Sequence, residues 1–149
     1  MATKFQVIID SAYDKLKEYD FMNMLKDEAD EVLKCYIRPA CVSYLYHRTK
    51  SLERDDILEE FVDDLDDISI EVLANYVSIF YLDANYIKTT LALKAHLSGT
   101  DFHNYASKDV LAKAIEVREL YKNEIDQLTI DYSYGKDCPL WNLKRGNRR

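Results

Sequence analysis

Backbone punctuation is scarce in this chain: its 149 residues include only 3 Gly and 2 Pro. A β-sandwich or barrel needs turn residues at short, regular intervals, so this scarcity predicts long regular elements and an all-α fold. The length suits one domain that buries a sizeable core. Apolar spacing then predicts a single-domain bundle of about five to six helices over residues 1–135, with an extended basic C-terminal tail over 136–149.

Thr3 is placed to cap a first helix, with Phe5, Ile8, Ile9, Ala12 and Leu16 on one face. That helix fades near Tyr19, and the segment DFMNMLK, residues 20–26, reads as a short apolar connection packed on the core. A second helix opens with Asp27, Glu28, Asp30 and Glu31 in its early turns, the order the helix dipole favours. Val32, Leu33, Tyr36 and Ile37 form its apolar stripe. Pro39 lacks an N–H and restricts Arg38, which predicts a kink or break, followed by a helical piece from Ala40 to about His47.

Ser51 then reads as the N-cap of a helix over residues 52–65, with Leu52, Ile57, Leu58, Phe61, Val62 and Leu65 as its apolar positions. Asp66 or Asp67 starts the next helix, which is apolar on nearly every side, as a central buried helix is. Asp83 and Asn85 interrupt it with a break or a polar contact. Helical content resumes from Ile87 to Leu97 and ends at Ser98-Gly99, the usual place for a glycine C-cap. Ser107 caps a last long helix, whose Val110, Ala114, Val117, Tyr121, Ile125, Leu128 and Tyr132 alternate spacings of four and three. So short a seam is expected to pack against the central helix of the same chain.

Charge is unevenly placed. The net charge of −7 argues against a chain built to wrap nucleic acid. From Glu53 to Glu71 nearly every non-apolar position is acidic, whereas residues 144–149, KRGNRR, carry four cations. This polarity suits head-to-tail contacts between copies or one end meeting an acidic partner; the alternative is a solvated acidic face and a solubilising tail. The single Trp, Trp141, lies in the otherwise irregular tail and needs a place to dock. Twelve Tyr, each an apolar body with a polar tip, suit the rim of a core or an interface.

Equipment for chemistry is sparse. His47, His96 and His103 form no HxxxH or HExxH pair, so no metal site is expected. Cys35, Cys41 and Cys138 lack CxxC spacing and are odd in number, which favours a reducing compartment. Cys35 and Cys41 read as small buried hydrophobes and Cys138 as an exposed thiol. The carboxylates of Asp55, Asp56, Glu59, Glu60, Asp63 and Asp64 lack the central Gly and alternating ligands of an EF-hand. On a helix their i, i+4 pairs repel, a cost that a basic partner would reverse, so the run is a candidate docking surface. No Gly-rich phosphate loop or GxSxG is present, so neither an enzyme nor a cofactor is expected. The N-terminal MATKFQVIIDSAYDKL does not read as a signal peptide, and no uncharged apolar run is long enough to span a membrane.

Taken in order, YIRPACVSYLYH (36–47), an acidic spacer, VLANYVSIFYL (72–82), GTDFHNYAS (99–107) and Asp131-Tyr132-Ser133-Tyr134 make the chain resemble a known group. These are small helical proteins encoded in the head and tail structural modules of tailed bacteriophages, particularly those infecting Gram-positive hosts. The likeness spans roughly residues 5–135. It departs from the pattern at Phe80 and Tyr81, near the usual Trp, at Pro39, and in the Trp-bearing tail.

The resemblance implies a virion protein of the neck: a head-tail connector, adaptor or head-completion protein assembled in the host cytoplasm. It implies a homo-oligomeric ring, commonly a dodecamer, below the portal. Such a ring extends the DNA channel, contacts portal and tail proteins, and lies close to packaged DNA without reading its sequence. The candidate docking residues are Trp141, Leu143, Lys144, Arg145, Arg148 and Arg149 in the tail, with the six carboxylates above. Two other readings stay open: a small helical adaptor or regulator binding a partner through its last helix, and a nucleic-acid binder using KRGNRR alone.

Overall fold

The computed structural model describes residues 2–16, 25–44, 51–91 and 108–137. Five helices and one short hairpin make up these residues: α1 (Phe5–Leu16), α2 (Lys26–Lys34), α3 (Ile37–Ser43), β1 (Arg54–Asp55), β2 (Glu60–Phe61), α4 (Asp67–Leu82) and α5 (Lys108–Asp137). The class is all-α, as the scarcity of Gly and Pro predicts.

α4 is the hub, with α1, α3 and α5 packed against it and α2 packed on α1. Ten of its sixteen residues are buried, which is why its sequence shows no polar face. Asp66 caps it: the carboxylate accepts the backbone N–H of Ser69 at 3.3 Å and supplies a partner to a donor the first turn leaves orphaned. Val72, Leu73, Val77 and Leu82 meet Ile8, Ile9 and Leu16 of α1 and Leu33 of α2 in one core.

α4 does not break at Asp83 and Asn85. It widens into a π-helical turn, Asp83–Lys88, in which the Thr89 hydroxyl donates to the Ala84 carbonyl at 2.8 Å. The expected polar contact is there too: Asp83 Oδ1 lies 2.6 Å from Arg118 Nε of α5.

The expected seam on α5 packs on the core around α4 through Val117, Tyr121, Ile125 and Leu128; Ala114 is buried as well, Val110 stands exposed, and the Tyr132 side chain lies outside the described residues. Tyr121 donates its hydroxyl to the Lys15 carbonyl at the end of α1, at 3.0 Å. Arg118 lies against Asp83, and Asp126 faces Tyr76, so α5 runs antiparallel to α4. The Asp126 charge and, more strongly, burial raise the Tyr76 phenol above its ordinary pKa. α5 continues to Asp137, two residues past the expected end of the helical domain at residue 135.

Several expectations are corrected. The break near Pro39 falls earlier, at Cys35–Tyr36, and Pro39 sits within the first turn of α3. A continuous helix would need a Pro39 N–H to reach the Cys35 carbonyl and would drive the pyrrolidine ring into that carbonyl, so the chain turns there instead. Cys41 is buried, but Cys35, on the outward side of that turn, is exposed. Thr3 does not cap α1; its hydroxyl accepts the Leu65 N–H at 2.9 Å and donates to Asp64 at 3.3 Å. The largest correction concerns residues 52–65, which form no helix at all.

The three histidines, Cys138, the apolar connection 20–24, the Gly99 cap and Ser107 lie outside the described residues.

Candidate functional site

Where a helix over residues 52–65 was expected, the chain turns back on itself. Arg54 pairs with Phe61 and Asp55 with Glu60 in an antiparallel register. Periodicity explains why. Leu52 and Phe61 are nine residues apart, and at about 100° per residue a helix would set them on opposite faces. The hairpin buries both. Phe61 is 0% exposed and meets Phe5 of α1 edge to face at 5.1 Å. Folding back also removes the i, i+4 carboxylate repulsions a helix would impose.

The turn is made without glycine. Asp55 Oδ1 accepts the N–H groups of Ile57 at 2.8 Å and Leu58 at 3.1 Å, an Asx-type turn that replaces backbone pairing with a side chain. Glu59 then takes φ 55°, the left-handed region that disfavours residues with a Cβ. Its carbonyl is held by the Phe5 N–H at 2.8 Å, and the Phe61 N–H reaches the Thr3 carbonyl at 2.8 Å. The segment before α1 thus forms a third edge on the hairpin, through an antiparallel bridge between Lys4 and Glu60. Two strands this short are marginal alone; these tethers and Phe61 fix them to the core.

This geometry leaves the tip outward. Ile57 is 91% exposed, Leu58 64% and Val62 59%. Three of the six apolar positions expected to face the core therefore face solvent. Carboxylates surround them, but not as one helix face. Asp56 pairs with Arg54 at 2.8 Å, and Glu59 with Lys34 at 2.9 Å. Lys34 also pairs with Glu31 at 2.8 Å, and these bonds, Glu31 first, hold its ammonium proton above the ordinary lysine range. Asp63 and Asp64 lie in the connection to α4, and among the described residues Glu60 and Asp63 have no ion pair.

Behind the turn is a cavity of about 230 Å³ lined by Phe5 and Ile37 at its apolar side and by Lys34, Arg38, Arg54, Asp56 and Glu59. Cys35 opens onto it, while the buried Cys41 thiol, which does not line it, is pushed up in pKa by burial against a partly opposing Arg54 charge. Most of the charge lining the cavity is paired within the chain, Lys34 with Glu59 and Arg54 with Asp56. Among the described residues no group of three or more His, Cys, Asp or Glu could hold a metal, and no helix is long and apolar enough to cross a membrane.

The structure therefore brings Asp55, Asp56, Glu59 and Glu60 together around a turn and sets Asp63 and Asp64 at its base. Trp141, Leu143, Lys144, Arg145, Arg148 and Arg149 lie outside the described residues. Sequence reasoning missed the apolar tip, for which the Asp-Asp-Ile-Leu-Glu-Glu pattern was the available signal: turn-forming acids bracketing two apolar residues. Among the described side chains, tyrosine fills the core and its rim. Tyr13, Tyr36, Tyr44, Tyr76, Tyr81, Tyr86 and Tyr121 are all buried or half-buried. Tyr81 packs edge to face on Tyr36 and Tyr86. From Val117 to Leu128 the seam of α5 is likewise occupied by the chain's own core. No protein family matches the chain, and no curated protein or solved structure is similar to it.

Proposed function

We propose that this chain is a structural protein of a phage neck, a head-tail connector, adaptor or head-completion component that assembles as a ring below the portal. Its work is contact rather than catalysis: it extends the DNA channel and receives the tail. The ordered sequence resemblance supports the identity. The observation that carries the mode of action is the hairpin, an exposed Ile57-Leu58 tip braced on a buried Phe61. A protein gains nothing in stability by holding two large apolar side chains in water on a tethered turn, whereas an interface gains an anchor from them.

The acidic surround fits the same reading. Carboxylates repel DNA phosphates, so a channel bordered by them lets DNA pass without sticking. The rim acids also choose partners, since a mismatched acidic surface is repelled and a basic one is steered in. No cofactor is needed for such work.

The test is the mass and shape of the purified full chain, alone and mixed with its portal, by light scattering and electron microscopy. Closed rings, or a stoichiometric complex on the portal, are the expected result. A strict monomer with no affinity for portal or tail proteins overturns the proposal.

A further inference from the structure

The apolar tip and its acids have a complement elsewhere in the same chain. Residues 53–67 hold nine Asp or Glu against one Arg. The last twelve residues, CPLWNLKRGNRR, hold no acid, four cations and the apolar Leu140, Trp141 and Leu143. One segment is an acidic surround with an apolar tip; the other is an aromatic anchor with a basic surround.

The fold brings the two within reach. α5 runs antiparallel to α4, with Arg118 against Asp83 and Asp126 facing Tyr76. At about 1.5 Å per residue, the eleven residues from Asp126 to Asp137 carry α5 about as far as the ten from Tyr76 back to Asp66. The last turn of α5 therefore comes level with the start of α4, the end of the bundle from which the hairpin emerges. Glu60 is six residues from Asp66, at most about 20 Å away, while twelve residues beyond Asp137 span up to about 40 Å.

We infer that residues 138–149 seat on the hairpin of their own chain, Trp141 against the Ile57-Leu58 tip and the four cations over Glu60, Asp63 and their neighbours. Tethering at the same end of the bundle makes the contact intramolecular, with an effective concentration of order millimolar, so weak individual contacts suffice. This contact lies within one chain and stands whether or not the chain assembles into rings.

Trp141 is the only Trp, so its fluorescence in the full-length chain reports its surroundings directly. The expected spectrum is blue-shifted and shielded from acrylamide, and independent of protein concentration. It shifts to the red, with increased quenching, in I57S/L58S, in D63K, and in about 1 M salt, where charges are screened beyond about 3 Å. The tip side chains and Asp63 are exposed, so these variants keep the fold, and an unchanged far-ultraviolet circular dichroism spectrum checks that they do. A solvent-exposed Trp141 in the unaltered chain overturns the inference. So does a shielded Trp141 that ignores both substitutions, which places its seat elsewhere. Shielding that appears only as protein concentration rises also overturns it, because the tail then covers a second copy.

Discussion

α4 and the hairpin before it begin alike and end differently. Each opens on an aspartate whose side chain takes backbone N–H groups two or three residues on: Asp55 those of Ile57 and Leu58, Asp66 that of Ser69. After Asp66 the chain finds apolar neighbours on every side and continues for sixteen helical residues. After Asp55 it reverses within four residues, because a helix would separate Leu52 from Phe61 and stack carboxylate on carboxylate. A capping residue permits a helix; the residues after it, and the surface they can bury, decide whether one forms.

The first way to break this comparison is to remove the burial on each side. Phe61→Ala is expected to cost about 3–5 kcal/mol and Leu73→Ala, in α4, about 2–5 kcal/mol, since both side chains are essentially inaccessible. Urea denaturation followed by circular dichroism measures both. A Phe61→Ala change that leaves stability within about 1 kcal/mol of the parent would show that the hairpin is an appendage and not part of the core.

The fold was legible in the sequence wherever burial and periodicity agree. The buried face of α1, the all-round burial of α4 and the α5 seam from Ala114 to Leu128 were readable, because each repeats at the helical period over several turns. The hairpin was not. From Ala40 to Ser98 the chain has no Gly or Pro, so the usual turn signals are missing. The reversal is made by a carboxylate and a left-handed glutamate, both offset by contacts from Thr3 and Phe5, some sixty residues earlier. Leu58, Phe61, Val62 and Leu65 also mimic a helical stripe, which hid it further. Candidate-site acids were visible as composition, but their placement around an exposed apolar tip depended on that unseen turn.

The two aspartates sharpen the comparison next. Asp66→Ala is expected to cost about 1 kcal/mol of global stability, as loss of an N-cap on a central helix does. Asp55→Ala costs less, about 0.5–1 kcal/mol, because its acceptor serves an exposed turn whose N–H groups can turn to water. Hydrogen exchange separates the two locally: Asp55→Ala speeds exchange at Ile57 and Leu58 alone, whereas Asp66→Ala acts on the first turn of α4. Asp55→Asn keeps the acceptor and is expected to preserve the slow exchange at the tip; fast exchange there would mean that charge, and not the Asx bond, shapes the turn.

The smallest effect on stability carries the most about purpose. Ile57→Ser replaces a side chain already 91% exposed and touches no core contact, so its stability is expected to stay within about 0.5 kcal/mol of the parent. Burying that side chain against a partner is worth about 1.5–3 kcal/mol, or roughly ten- to a hundredfold in affinity. The same substitution should therefore leave the melting curve in place while weakening assembly or portal binding by that factor, read by light scattering across a dilution series. Equal loss in fold and in association would put Ile57 with Phe61 as a packing residue. Loss in neither would leave the tip without a contact role, and the distinction between a buried helix that builds the domain and a hairpin that presents it would fail at that point.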